Sequence, residues 1–380
     1  MVDKASAPAA VGLGRRYIDE APNAVAQTQW RLIARRFRKH KVALFSFYVL
    51  LALYIFGVAV PGFIAPYAKL TAFDETYVPP QSIHFFDESG KFQRPFVYNW
   101  SRELDPATWQ YTYEADTSKI YPIRFFVRGD EYRLMGMFPT NLHLFGVDEG
   151  GMIALFGTDS LGRDLFSRTL YALRISLTIG FVGVAVSLLL GLVFGGISGL
   201  MGGVVDDVIQ RIIETLMSIP RIPIWMALAA AVPKHWTAME IYFAITIIIS
   251  FMTWTSLARV VRSKFISLRE EDFVTAARGF NASKTTIIIR HLIPNFLSYI
   301  IVSITLAVPD MILAETALSF LGIGLQPPVV SIGVLLSNAQ NLQAVALYPF
   351  LLIPGIFVVV IVLAFNFVGD GLRDSADPYN

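Results

Sequence analysis

Long apolar runs separated by shorter polar segments dominate the pattern of this chain. A helix that crosses a bilayer needs roughly 20 consecutive, largely apolar residues. Six runs approach or exceed this length, so the pattern predicts about six transmembrane helices. The predicted spans are 42–68, 175–205, 208–232, 241–258, 296–314 and 348–368. The third is the least uniform, because Arg211, Glu214 and Arg221 interrupt it.

The charge-free region 316–369 is too long for a single crossing. Pro327 and Pro328 lie within it, and proline has no backbone N–H to continue a helix. This pair predicts a loop or re-entrant turn before the last span.

Between the first two spans the sequence no longer consists of long apolar runs. WQYTYEA, which ends at Ala115, and IRFFVRG, which ends at Gly129, are aromatic and β-branched with partial alternation, a pattern typical of short strands. The fold class is therefore an all-α polytopic membrane protein with a small β-containing insertion between helices 1 and 2. This insertion either caps the membrane helices or offers its aromatic side chains to an external partner.

The distribution of lysine and arginine predicts the orientation, since short cytoplasmic loops carry an excess of both residues. A basic run at 35–41 precedes the first span, and seven more basic residues lie between spans four and five. Both observations place the N- and C-termini in the cytoplasm. The predicted divisions are a tail (1–41), a first helix (42–66), an outer insertion (67–165), a transmembrane core (166–370) with a cytoplasmic loop (259–294), and a C-terminal tail (371–380).

Composition supports an integral membrane protein and excludes several functions. The mean hydropathy is +0.55 and only 16% of residues are charged, whereas soluble domains average about 25%. A net charge of +2 gives no reason to expect nucleic acid, and the absence of cysteine excludes thiolate chemistry. Motifs for metal-dependent, serine or phosphate-binding sites are missing, so we expect no catalytic residue and no metal site.

The segment DFVTAARGFNASKTTIIIRHLIPN, which begins at Asp272, is polar although apolar runs flank it. It resembles the Glu-Ala-Ala loop of ABC-transporter permease subunits, whose pattern continues with a glycine and ends in proline. Ala276, Ala277 and Pro294 match at the family spacing. Thr275 replaces the glutamate and Asn281 replaces the glycine.

Three further segments make the resemblance more specific. FGTDSLGRDLFSRTLYALRISL (156–177) is similar to the sequence before the second span of dipeptide and oligopeptide permeases. ETALSFLGIGLQPPVVSIG (315–333) and FNFVGDGLRDSADP (365–378) resemble two later motifs of the same permeases. The resemblance implies a type I ABC importer permease of the peptide and nickel class, the subunit with the extra first span, in the bacterial inner membrane.

The resemblance also implies how the loop works. In the family this loop forms a short helix along the membrane face that inserts into a groove of an ATPase subunit. Small side chains at Ala276 and Ala277 would allow a close approach, and Asn281 is among the few residues besides glycine that tolerate positive φ. The implied coupling residues are Glu271, Asp272, Thr275, Ala276, Ala277, Arg278, Gly279, Asn281, Ala282, Ser283 and Pro294.

Ionisable residues inside the spans are the candidates for a translocation pathway, since such residues normally face the bundle interior or a water-filled path. Asp310 and Glu315 are the predicted pathway residues. Asp310 has an alternative role as a structural hydrogen-bonding group beside Pro309. Asp207, Arg211 and Glu214 share one face of the third predicted span, and we expect them to pair with one another.

The resemblance implies a complex of a second permease subunit, two ATP-binding subunits and a periplasmic binding protein. ATP and magnesium would bind to the ATPase subunits, so this chain itself needs no cofactor. Peptide is the expected cargo, and oligosaccharide, nickel chelate and peptide antibiotic are the alternatives. An ion-coupled secondary carrier is a different class of hypothesis, which would need buried coupling residues and no ATPase.

Overall fold

The computed structural model describes residues 29–376 except 88–89, 105, 107–110, 149, 234 and 284–285. Most of the predicted N-terminal tail, the last four residues with Pro378, and the start of the predicted WQYTYEA strand therefore lie outside the described residues.

Helices form most of the described chain. They are α1 (Gln29–Lys39), α2 (Lys41–Leu53), α3 (Pro61–Ile64), α4 (Leu165–Met201), α5 (Gly203–Ser218), α6 (Arg221–Ala230), α7 (Ala238–Leu268), α8 (Asp272–Gly279), α9 (Leu297–Phe320), α10 (Ile332–Ser337), α11 (Leu342–Leu347) and α12 (Ile353–Ala376). π-Helical turns at Tyr54–Ala59 and Ile287–Leu292 and a 3₁₀ turn at Pro349–Leu352 adjoin them.

Within the described ranges, five helices are long and apolar enough to cross a membrane: Lys41–Ala59, Leu165–Met201, Ala238–Leu268, Leu297–Phe320 and Pro349–Ala376. The third predicted span, 208–232, is not one straight helix, because α5 and α6 meet at a bend of 88°. Pro220 explains the break. A residue before proline is pushed out of the helical region, and Ile219 is extended with φ −91° and ψ 131°.

Two spans are longer than the hydropathy pattern indicated. Helix α4 begins at Leu165, where the Asp164 side chain accepts a hydrogen bond from the Ser167 N–H at 2.7 Å and caps the helix. Helix α7 continues to Leu268, so the first part of the predicted loop 259–294 is helical. Charged residues lower hydropathy without ending a helix, which accounts for both differences.

Helix α4 packs along α7 through close contacts at glycine. A Cβ added at Gly195 would lie 2.5 Å from the Ala258 carbonyl oxygen, and one at Gly199 would lie 2.7 Å from the Phe265 Cβ. Small residues of this kind let transmembrane helices approach closely. The two helices therefore form a tightly packed pair that leads from the insertion to the segment around α8.

The insertion between α3 and α4 contains strands, as the sequence predicted. A three-stranded antiparallel sheet has the order β1-β2-β3, and a separate hairpin pairs β4 with β5. The strands are β1 (His84–Phe86), β2 (Phe92–Leu104), β3 (Tyr111–Pro122), β4 (Arg124–Leu134) and β5 (Phe138–Gly146). Val97, Ile123 and Ile153 form a small buried cluster beneath them.

The FGTDSLGRD segment forms the turn that leads into α4. The carboxylate of Asp159 is fully buried and accepts hydrogen bonds from the Leu161 N–H at 2.9 Å and from the Arg163 guanidinium. It also pairs with Arg168, which lies one turn inside α4. Paired and hydrogen-bonded charges of this kind are tolerated in a protein interior, whereas an unpaired one is not. The motif thus fixes the start of α4.

Candidate functional site

Helix α8 is held against the membrane helices by two buried side chains. Val274 is 0% exposed and Ala277 is 9% exposed, at the i, i+3 spacing that places them on one face. They belong to an apolar cluster with Val261 and Phe265 of α7 and with Ile300 of α9, together with Ile287, Leu292 and Phe296. The amphipathic pattern of α8 therefore faces this chain's own core on one side.

The burial of Ala277 corrects one expectation from the sequence. Ala276 and Ala277 were both expected to face a partner, yet only Ala276 is exposed. Adjacent residues on a helix point about 100° apart, so the two alanines serve different surfaces. Ala277 fits α8 onto the bundle, and Ala276 leaves room on the outer face.

Asn281 ends α8 in the conformation that the sequence comparison implied. Its φ is +57°, in the left-handed region that non-glycine residues seldom adopt. Its N–H donates to the Arg278 carbonyl at 2.9 Å, and the Ala282 N–H donates to the Ala277 carbonyl at 3.0 Å. These two bonds define a Schellman motif with Asn281 at the left-handed position. Ala282 also joins the apolar cluster that contains Ala277, as expected for this motif.

The outer face of α8 carries an aromatic side chain with little cover. Phe280, at the C-cap, is 89% exposed, and Phe273 is 37% exposed. The two phenylalanines are seven residues apart, close to two full turns of a helix, so an exposed aromatic side chain lies at each end of the same side of α8. The remaining predicted coupling residues with exposed positions are Glu271, Asp272, Thr275, Arg278, Gly279, Ser283 and Pro294.

A groove of about 370 Å³ lies beside α8. It is lined by Leu200 at the end of α4, by Arg278 and Ala282, and by Ile287. The groove joins the C-terminal turn of α8 to the end of the longest transmembrane helix. Helix α8 is thus bounded by the apolar cluster that buries Val274 and Ala277, which forms its buried seat, by the exposed side that carries Phe280, and by this groove.

An ion pair missed by the sequence analysis connects α5 with α7 near α8. Arg262 donates to both carboxylate oxygens of Asp206, at 2.6 and 2.5 Å, and Ser198 of α4 donates to the same carboxylate. Bidentate arginine–carboxylate pairs fix geometry as well as charge. From the sequence, Asp207, Arg211 and Glu214 were expected to pair with one another. Only Arg211 and Glu214 approach each other, at 3.7 Å on the exposed surface.

Asp310, one of the two predicted pathway residues, lines a cavity among the membrane helices. The cavity has a volume of about 300 Å³. Its polar lining is contributed by α4, α6, α7 and α9: Ser187, Arg221, Thr253, Ser256, Ser303 and Asp310. Apolar side chains such as Leu257 and Met311 form the rest of the wall. An acid, a guanidinium and four hydroxyls thus converge on one apolar cavity.

Glu315, the other predicted pathway residue, is buried and does not line the cavity that contains Asp310. The side chain is 0% exposed, and its carboxylate accepts hydrogen bonds from Ser176 at 2.9 Å and Ser319 at 2.8 Å. The same two hydroxyls accept the backbone N–H groups of Ile332 and Leu325. Glu315 therefore anchors the turn predicted around Pro327 and Pro328 against α4. The sequence positions of Glu315 and Asp310 do not show that the two carboxylates have different surroundings.

Comparison with known proteins identifies the family. Residues 153–379, more than half of the chain, match the family described as the binding-protein-dependent transport system inner membrane component. Residues 28–80 match the N-terminal transmembrane domain of oligopeptide transport permease C. The chain belongs to the binding-protein-dependent transport permeases. It has the type I importer permease fold, and it is a multi-pass membrane subunit of an ABC importer and not its ATPase.

Curated relatives agree with this assignment. The dipeptide transport system permease protein DppC of Lactococcus lactis subsp. cremoris is 32% identical over 345 residues, which covers 90% of this chain and 89% of that protein. OppC, an oligopeptide transport system permease protein of Escherichia coli K12, is 43% identical and covers 59% of this chain and 72% of its own length. OppC of Bacillus subtilis is 37% identical, with coverages of 59% and 71%.

The left-handed conformation of Asn281 gives a direct test of how α8 ends. We expect Asn281→Gly to preserve the motif, whereas Asn281→Val should strain it by about 1 to 2 kcal/mol, because a β-branched residue is unfavourable at positive φ. Hydrogen exchange at the Asn281 and Ala282 amides should then be faster by on the order of tenfold in the valine variant. Equal protection in both variants would show that the motif does not hold the end of α8.

Proposed function

We propose that this chain forms half of the translocation pathway of an ATP-driven importer for peptides. The type I permease fold and the family membership support the importer role. Peptide as cargo is supported by the relatives, whose names describe dipeptide and oligopeptide transport. The chain's own contribution is a change of helix packing between two states, since a permease does no bond chemistry.

The observation that carries the coupling proposal is the contrast between the two faces of α8. One face is buried on α7 and α9 through Val274 and Ala277, and the other presents Phe280 at 89% exposure beside Ala276. In our proposal an ATPase subunit binds the exposed face and covers both phenylalanines. Its movement then reaches the transmembrane helices through the buried face.

The proposed complex contains a second permease subunit, two ATPase subunits and an extracytoplasmic binding protein. ATP and magnesium are bound by the ATPases. Helix α8 and both chain termini lie on the cytoplasmic side, where ATP is available, and the insertion lies on the opposite side. The excess of basic residues before α2 and around α7 and α8 supports this orientation.

Substitutions at the two alanines of α8 test separately the docking of an ATPase subunit and the anchoring of α8 on the membrane helices. We expect Ala276→Trp to block ATPase association without disturbing the apolar cluster, since Ala276 is exposed. In contrast, Ala277→Trp overfills the buried seat of α8, a change that typically costs about 1 to 3 kcal/mol. ATPase co-purification and uptake of a labelled dipeptide in matched membranes should both fall for Ala276→Trp.

A serine at Ala276 is the matched control, because it keeps the small side chain, and its uptake should equal that of the parent. The isolated chain should show no ATP hydrolysis, and the assembled complex should show it. Normal ATPase association and uptake with Ala276→Trp would contradict the docking proposal. Dipeptide uptake that continues without ATP would favour an ion-coupled carrier instead.

We propose that the cavity with Asp310 lies on the cargo pathway. The carboxylate of Asp310 and the guanidinium of Arg221 line the same cavity, so the cavity offers partners for both charged ends of a free peptide. Four hydroxyls line the same cavity, and those of Ser187, Thr253 and Ser256, which already bond within the helices, can still accept a hydrogen bond from a peptide N–H. An ionisable residue at membrane depth that faces a cavity is typical of such pathways.

Modified peptides test whether Asp310 recognises the peptide amine. We expect Asp310→Asn to lower uptake of a free dipeptide by on the order of tenfold, the equivalent of about 1.4 kcal/mol. Uptake of the same peptide with an acetylated N-terminus, which has no charge to pair, should change little between variant and parent. An equal loss for both peptides would assign Asp310 to structure. If an oligosaccharide, a nickel chelate or a peptide antibiotic competes with the labelled dipeptide for uptake and unlabelled peptides do not, that compound is the cargo.

A further inference from the structure

The β4–β5 hairpin ends in a turn with an unusual residue at its tip. The Met137 N–H donates to the Leu134 carbonyl at 3.0 Å, and the two central residues, Met135 and Gly136, have φ of +51° and +78°. These features define a type I′ turn, in which asparagine or aspartate followed by glycine is preferred. Methionine at the first central position is strained, and strain of this kind concentrates at functional sites.

The tip is also apolar on its outer surface. Met135 is 54% exposed, Met137 is 68% exposed and Phe138 is 61% exposed. Large apolar side chains are normally depleted from the tip of a water-exposed turn, where small and polar residues dominate. Three such side chains within four residues therefore indicate a surface that is covered in the native environment.

The position of the tip relative to α4 indicates what covers it. Gly136 lies against the guanidinium of Arg174, since a Cβ at Gly136 would come within 2.9 Å of Arg174 Nη2. Arg174 is the last charged residue before the charge-free stretch that begins at Ile175. Helix α4 has 37 residues and is therefore about 55 Å long. A hydrocarbon core is only about 30 Å thick, so the turns of α4 up to Arg174 extend beyond it.

A second set of contacts also places the β4–β5 hairpin at the edge of the hydrocarbon core. Helix α3 follows the first span within two residues of Ala59, so it begins at the membrane boundary. Gly62 of α3 packs directly under the ring of Tyr132 in β4, and Phe63 contacts Phe126 with ring centroids 6.4 Å apart. The hairpin thus rests on the ends of two different transmembrane helices.

We propose that the tip of the β4–β5 hairpin inserts into the lipid leaflet on the insertion side and anchors the hairpin there. Met135, Met137 and Phe138 enter the boundary between headgroups and acyl chains. Arg133 and Arg174 flank the turn and meet the lipid phosphates. Apolar side chains beside basic ones are the pattern of interfacial membrane segments.

A single labelled cysteine tests this placement, because the native chain has no cysteine. Met137→Cys, labelled with an environment-sensitive fluorophore, is reconstituted as the full chain in lipid nanodiscs with nitroxide-bearing acyl chains. The control is Phe92→Cys, which is 69% exposed on the other sheet of the insertion. We expect the Met137 label to lose most of its emission to the lipid quencher and to be shielded from aqueous iodide. The Phe92 label should show the reverse.

Two results would overturn the proposal. The first is a Met137 label that is as accessible to iodide as the Phe92 label and unaffected by the nitroxide lipids. The second is lipid quenching that is present in the isolated chain and disappears on assembly with the second permease subunit, which would mean that a protein covers the tip. Quenching that persists in the assembled transporter supports insertion into lipid.

Discussion

The packing of Val274 and Ala277 against α7 and α9 is the interaction on which the rest of this structure depends. A helix of eight residues has little stability by itself, because isolated helices of that length are marginal in water. Burial of one face therefore has to hold α8 in place. Without that seat, the exposed Phe280 face would be attached to the membrane helices only by flexible chain, and a movement of a docked partner could not reach them.

Further contacts connect the buried face of α8 with the rest of the helix bundle. The Asp206–Arg262 ion pair ties α5 to the end of α7, and Ser198 brings α4 into the same network. Close glycine contacts hold α4 along α7 towards the insertion. At the other end of α4, the Asp159 turn and the buried Glu315 fix the start of the helix and the segment around Pro327. Helix α4 thus has defined contacts at both ends. Our proposal requires such contacts in an element that transmits a rearrangement.

The sequence was sufficient for the features that are local or periodic. Long apolar runs identified five spans, alternating residues identified strands, and the tolerance of asparagine for positive φ explained Asn281. It failed where the outcome depends on three-dimensional neighbours. Hydropathy could not show that Pro220 bends the third predicted span, or that Ala277 faces inwards while Ala276 faces outwards. It also could not distinguish Glu315, which is satisfied by serine hydroxyls, from Asp310, which lines a cavity. A carboxylate in a span looks the same in either role.

The ratio of ATP hydrolysed to peptide imported by the assembled transporter in vesicles tests most directly whether α8 transmits movement through its buried face. Val274→Ala loosens the buried seat of α8 by removing two methyl groups, a change worth about 1 to 3 kcal/mol. Val359→Ala is the matched control, because it removes the same two methyl groups from an exposed position of α12. We expect Val274→Ala to keep ATP hydrolysis but to raise the ratio several-fold, whereas Val359→Ala should leave it at the parent value. An unchanged ratio for Val274→Ala, with normal uptake, would contradict transmission through the buried face of α8.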